Sequence, residues 1–183
     1  MFTEFPTLET DRLILRELSE GDIDELYEIF SSEEVTKYYG MYAFKEVDEV
    51  KKMMRYFIDG FKEERQIRWC IILKSTGKAI GTCGFHCFSQ RHYRAEIGYE
   101  LSQNYWGAGY MNEALQRIIK YGFENLNLMR IEGLIYPENT SSRKSLEKLG
   151  FKEEGLLRDY MFFRDKMTDL LMYSLLKKEF WNQ

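Results

Sequence analysis

A mixed α/β domain of the α+β kind is what the sequence predicts, on three observations. Residues Arg94–Leu101 alternate Ala95, Ile97, Tyr99 and Leu101 with Arg94, Glu96, Gly98 and Glu100, the period of a half-buried strand. That run passes into a helical pattern (Met111, Leu115, Ile118, Ile119, Gly122, Phe123) through Trp106-Gly107-Ala108-Gly109-Tyr110. Strand and helix patterns then succeed one another over 183 residues with no linker, repeat or low-complexity tract, so a single domain over 1–183 is expected.

In chain order, Leu13 and Leu15 alternate with Arg12, Ile14 and Arg16 as a first strand. Ser19, with Asp22 three residues on, starts a helix carrying Leu26, Ile29 and Phe30. Tyr38-Tyr39-Gly40-Met41-Tyr42 forms an aromatic loop. A second helix, from about Lys45 to Glu64, turns Val47, Val50, Met54, Phe57, Ile58 and Phe61 inward. Arg68–Leu73 and Lys78–Phe85 read as a hairpin joined by Lys74-Ser75-Thr76-Gly77. After the glycine turn, a helix runs from about Gly109 to Glu124, and Arg130–Tyr136 is a strand stopped by Pro137. Ser142–Leu149 is a short helix closed by Gly150, and Phe151–Arg158 and Asp169–Leu176 are two more strands.

Composition excludes several classes. A 44% hydrophobic and 31% charged chain is an ordinary soluble composition, and a formal charge of -4 gives no field for nucleic acid. No run of apolar residues is long enough to span a membrane, and the N-terminus lacks a signal-peptide pattern. Three cysteines, an odd number, do not form a disulfide framework, which fits a reducing cytoplasm.

The Gly107-Ala108-Gly109 turn admits two readings. A helix entered this way leaves its first N–H groups without partners, and with the helix dipole they form an anion site that glycine lets a phosphate approach. Alternatively the glycines only make a tight connection. A dinucleotide fingerprint is excluded because Asn112 stands where its third glycine belongs, and no phosphate loop ending in Gly-Lys-Ser/Thr occurs.

Trp106-Gly107-Ala108-Gly109-Tyr110, Glu113-Ala114-Leu115, Pro137-Glu138-Asn139 with Ser142, and Leu149-Gly150-Phe151 with Glu154-Gly155 together resemble the GNAT superfamily of N-acetyltransferases. With Thr10-Asp11-Arg12-Leu13-Ile14-Leu15-Arg16, they are similar to its RimJ/RimL-type branch of ribosomal-protein N-terminal acetyltransferases, in register from about Thr10 to Lys178. The resemblance implies a mixed sheet of about six or seven strands, splayed between the fourth and fifth and flanked by about four helices. It implies acetyl-CoA as cofactor and an acyltransferase moving acetyl to a primary amine, by direct attack through a tetrahedral intermediate. By the same resemblance Gly107, Ala108, Gly109, Tyr110, Met111 and Asn112 hold the pyrophosphate, with Trp106 at the loop's start packing beside them. Backbone groups near Leu101 and Gln103 pair with the pantetheine arm, and one N–H there faces the thioester oxygen. Asn139 bonds the arm from its other side.

There are departures. Trp106 and Met111 stand where the superfamily's loop usually begins with Gln or Arg and ends with Gly or Ala. Leu146 stands where many members carry the tyrosine that protonates the leaving thiolate. Ser142 either substitutes by bonding the sulfur or simply caps its own helix.

An ammonium acceptor must lose a proton before it attacks. Glu96, on the strand where some protein-acetylating members carry their base, is the first candidate, unless it pairs with Arg94 on a solvated face. Glu100 lies on the same face, with Gly98 between them leaving room for a ligand. His86 is a further candidate base, while His92 reads as a loop residue. Cys83 and Cys87 stand about 13 Å apart if extended, too far to share a zinc ion, and are expected in the core; no metal is expected. Tyr38, Tyr39, Met41 and Tyr42 either line the acceptor pocket or pack on the sheet, and Asp169 and Tyr173 could border that pocket without a chemical role. The acceptor is a small-molecule amine or a protein N-terminus, with no nucleic acid or membrane partner and a monomer or homodimer expected. The rival function is a CoA-binding sensor or interaction module that has lost turnover, for which Leu146 argues.

Overall fold

The structure, a computed structural model, describes residues 4–181. Its strands form one eight-stranded sheet in the order β1-β2-β3-β4-β5-β6-β8-β7. Contacts divide the chain into two compact units, residues up to Cys87 with Gly98–Ile118, and Phe88–Ile97 with the chain from Ile119 onward.

The first unit opens with β1 (Leu8–Glu9) and β2 (Leu13–Arg16), paired antiparallel with Leu8 opposite Leu15. Ser19 and Asp22 make the expected capping box ahead of α1 (Ile23–Phe30), and Arg16 grips the Asp22 carboxylate with two hydrogen bonds of 2.7 Å. After α2 (Glu33–Thr36), the aromatic loop leads to α3 (Val47–Lys62), whose capping box is Glu46 and Glu49. β3 (Ile67–Leu73) is buried along its whole length because it lies between β2 and the strand that follows, with helices over it. Leu26, Ile29, Phe30, Val50, Met54 and Phe57 from α1 and α3 close on Cys70, Ile72 and Ala79 of the sheet. β4 (Lys78–Ser89) completes the hairpin, with Gly77 at φ +71° in the turn. β5 (Arg94–Leu101) has its last residues, from Gly98, in this unit. A single turn at Gln103–Tyr105 and the glycine loop then lead into α4 (Tyr110–Glu124).

In the second unit β5 meets β6 (Arg130–Ile135) in parallel. Their ladder runs only from Arg94↔Arg130 to Glu96↔Glu132, although both strands continue. This is the pair for which the family resemblance implies a splay, counted without the short β1. α5 (Thr140–Lys148) follows, and its Leu146 packs where a Cβ on Gly133 would stand at 2.7 Å. β7 (Lys152–Phe163) and β8 (Lys166–Leu176) form a long antiparallel hairpin, with β8 inserted beside β6, and α6 (Lys177–Phe180) ends the described chain. Ile131, Ile135, Leu146, Leu149, Phe151, Tyr173 and Leu175 form this unit's interior. Among the described residues no helix is long and apolar enough to cross a membrane.

The elements differ from the sequence reading in number more than in kind. Among the described residues eight strands replace six or seven, since Leu8–Glu9 is too short to show a period. Among the described residues six α-helical segments replace four, two of them single-turn pieces, α2 and α6. Cys83 is in the core, but Cys87 is exposed at φ +51°, where β4 departs from extended geometry.

Candidate active site

The glycine turn has the form an anion site needs. Gly107 and Gly109 take φ +76° and +81°, left-handed values that other residues adopt at a cost. A Cβ on Gly107 would meet nothing within 4 Å, so the backbone there is open to a ligand. The first N–H of the turn to find a carbonyl is that of Glu113, bonded to Gly109 at 3.1 Å. Among the described residues, none of the N–H groups from Gly107 to Asn112 has an acceptor. The buried Nδ2 of Asn112 is also without a partner.

This loop is held by residues far away in the chain. Glu113 accepts from the Thr10 hydroxyl at 2.5 Å, the Arg12 backbone N–H at 2.9 Å and Arg12 Nε at 2.6 Å. Arg12 Nη1 donates to the Ala108 carbonyl at 3.0 Å, and the guanidinium lies 4.3 Å from the centre of the Tyr110 ring. Burial pushes the Glu113 carboxyl up, but Thr10 and Arg12 outweigh it and bring the group below its ordinary value. Thr10, Arg12 and Glu113 stood in the sequence only as part of a family pattern; nothing local signals that they meet.

Around that loop, Trp106 Nε1 donates to the Leu101 carbonyl at 2.8 Å, which tethers the exposed indole by one hydrogen bond. Leu101 thereby has one carbonyl lone pair engaged, and the Gln103 carbonyl accepts from Trp106 N–H at 3.1 Å within its turn. In the second unit, Asn139 is the N-cap of α5, its Oδ1 accepting from Ser142 N–H at 3.1 Å. Ser142 therefore lies in the first turn of that helix, capped by Asn139 rather than by its own hydroxyl. Leu146 is 1% exposed, so the place of the family's acid is filled by core packing.

The two carboxylates of β5 differ. Glu96 is half-buried, and Arg94 does not hold it: Arg94 Nη1 donates to Glu132 at 2.5 Å instead, which removes the solvated-pair reading. Glu100 is buried and bound by Arg68 and by the Thr82 hydroxyl. Arg68, also buried, donates Nε to Thr82 at 2.7 Å and Nη2 to the Tyr39 hydroxyl at 3.0 Å. Burial pushes Glu100 up against the opposing pull of Arg68, and burial likewise pushes the Tyr39 hydroxyl up. The room expected over Gly98 is taken: a Cβ there would lie 3.0 Å from Arg68 Nη1 and 3.1 Å from His86 Cε1. Arg68 escaped the sequence reading because a cation within a strand pattern reads as its solvent face.

His92 lies exposed in a turn, as expected. Tyr42 is exposed, whereas Tyr39 packs on Phe30 at 5.7 Å. Asp169 accepts from the Asp159 N–H at 2.8 Å, and the buried Tyr173 bonds Arg143, Glu147 and Glu153, so both serve the second unit's own structure. Burial pushes the Cys83 thiol up to about 12, which leaves it inert as a nucleophile.

Fold, glycine turn and sheet order define an acetyltransferase: the chain belongs to the acetyltransferase (GNAT) domain family, whose model matches residues 12–152. It is 46% identical over 174 residues, 95% of this chain and 98% of the other, to the uncharacterized N-acetyltransferase p20 of Bacillus licheniformis. A crystal structure of a GNAT-family acetyltransferase from Bacillus anthracis superposes with TM-score 0.85 at 26% identity, covering 95% of this chain and 100% of that one. Relatives named for their acceptors are more distant. The [ribosomal protein uS5]-alanine N-acetyltransferase of Escherichia coli is 33% identical over 52% of this chain and 50% of its own length. The spermidine N(1)-acetyltransferase of Vibrio cholerae is 23% identical over 94% and 97%.

Proposed function

We propose that the chain, as one cytoplasmic domain, transfers the acetyl group of acetyl-CoA to a primary amine. The observation that carries this is the row of N–H groups from Gly107 to Asn112 without acceptors, beside the orphaned Asn112 Nδ2. A diphosphate satisfies such donors and the positive end of α4 together. The bound thioester supplies an activated acyl group; the rest falls to the protein. Leu101 and Gln103 backbone groups orient the arm, and Asn139, whose capping bond uses only its oxygen, has Nδ2 to donate to it. Glu96 takes the ammonium proton, directly or through water, so that a neutral amine attacks. A backbone N–H near Leu101 faces the oxyanion that develops. The Ser142 hydroxyl donates to the departing sulfur in place of the absent tyrosine. Glu100 is the weaker base, because its carboxylate is already held by Arg68 and Thr82. The differing acceptors of the named relatives support an amine without choosing one.

Gly107→Ala tests the assignment more cleanly than a change at Gly109, whose added Cβ would lie 3.5 Å from Arg12 Nη2. The new methyl enters open space at a backbone cost of about 1 kcal/mol. Calorimetry with CoA is expected to show at least about a tenfold loss of affinity in a folded protein. Unchanged affinity removes the diphosphate from this turn.

A further inference from the structure

The Arg68 guanidinium joins two regions that the sequence put near the acceptor independently, the aromatic loop through Tyr39 and β5 through Glu100. Its Nε is held by Thr82 and its Nη2 by Tyr39 and Glu100, which fixes the plane of the group. Nη1 alone donates to none of the described residues, although Arg68 is only 6% exposed. Nor is Nη1 sealed from solvent, since the buried, partnerless side-chain atoms among the described residues are confined to Asn112 Nδ2. It stands over Gly98, where a Cβ would approach it to 3.0 Å. A buried arginine with three of its five N–H donors engaged and the two on Nη1 left over is a prepared donor.

We propose that Arg68 Nη1 binds a neutral oxygen of the acceptor, a carbonyl close to the amine that is acetylated. This rests on the transfer reading above, in which an arm laid back along β5 from the glycine turn carries its acyl end toward Gly98. A carbonyl suits the donor better than a carboxylate because Glu100 already balances the guanidinium charge. An oxygen-free polyamine covers Nη1 without pairing it, so it is the poorer acceptor. Arg68 is thus a specificity-determining residue, and the acceptor class is an amine with a neighbouring carbonyl, as in an aminoacyl or peptide α-amine.

The test compares initial rates with a glycyl dipeptide amide and with 1,3-diaminopropane at saturating acetyl-CoA. The full-length protein is expected to favour the dipeptide amide at least about tenfold in kcat/KM, the worth of one hydrogen bond to a charged group. Arg68→Lys keeps the charge but loses the planar fork, and is expected to compress that ratio below about threefold, chiefly through KM of the dipeptide amide. Thr82→Val, which frees Nε while keeping the ion pair, is expected to compress it less, and serves where the lysine variant does not fold. Equal or better use of the diamine by the unaltered protein overturns the proposal and leaves acetyl transfer intact. An undiminished ratio in a folded Arg68→Lys protein does the same. CoA binding with no transfer to either amine overturns both readings.

Discussion

Arg12 and Glu113 bring opposite charges to a helix end that has bare donors for an anion, and the two charges act differently on it. Removing Arg12 loses the brace on Ala108 and leaves the Glu113 carboxylate uncompensated beside the proposed diphosphate site, so both effects are expected to weaken binding. Arg12→Ala is therefore expected to raise the Kd for CoA about tenfold, less in high salt because the pair is partly exposed. Glu113→Gln loosens the brace but also removes the repulsion, and the change should be smaller; isothermal titration at two ionic strengths checks both. Such residues were half legible. Gly107 and Gly109 announce themselves by spacing, because a turn is a local event, whereas Asn112 enters only through the family resemblance. Arg12 and Arg68 do not, since their roles depend on partners 101 and 32 residues away.

Across β6, β8 and β7 one cation ties three strands together. Arg130 holds Glu154 through two bonds of 2.7 and 2.5 Å and Glu132 through Nε at 2.7 Å, while Ser174 donates to Glu154 at 2.6 Å. Arg130 and Ser174 bring the Glu154 carboxyl from its ordinary 4.5 down to about 2. A folded value below the unfolded one gives stability that is fully present above 4.5 and disappears as pH falls toward 2. Glu154→Gln is expected to flatten the fall in stability through that window, as denaturant melts at a series of pH values would record. The sequence showed these strands by their pattern but not their order. β8 lies between β6 and β7, and alternation carries no information about which neighbour a strand chooses.

For the entire chain, binding a ligand only to the folded state adds stability by mass action. At about one hundred times Kd the gain is about 2.7 kcal/mol. In a protein of this size that is a rise in Tm of roughly 5–10 °C with CoA, readable in a thermal melt, and a melt that does not move counts against the cofactor. The α+β class and the family were legible from motifs in order, while strand count and the buried polar network of the first unit were not. That network also constrains descent. The space that Gly98 leaves empty is filled by a guanidinium anchored on another strand. A Cβ at the first asks the guanidinium and His86, at 3.0 and 3.1 Å, to shift, and on the proposal above a bulkier residue there alters acceptor preference through Arg68. Covariation between these two columns would trace where acceptor preference has diverged within the lineage.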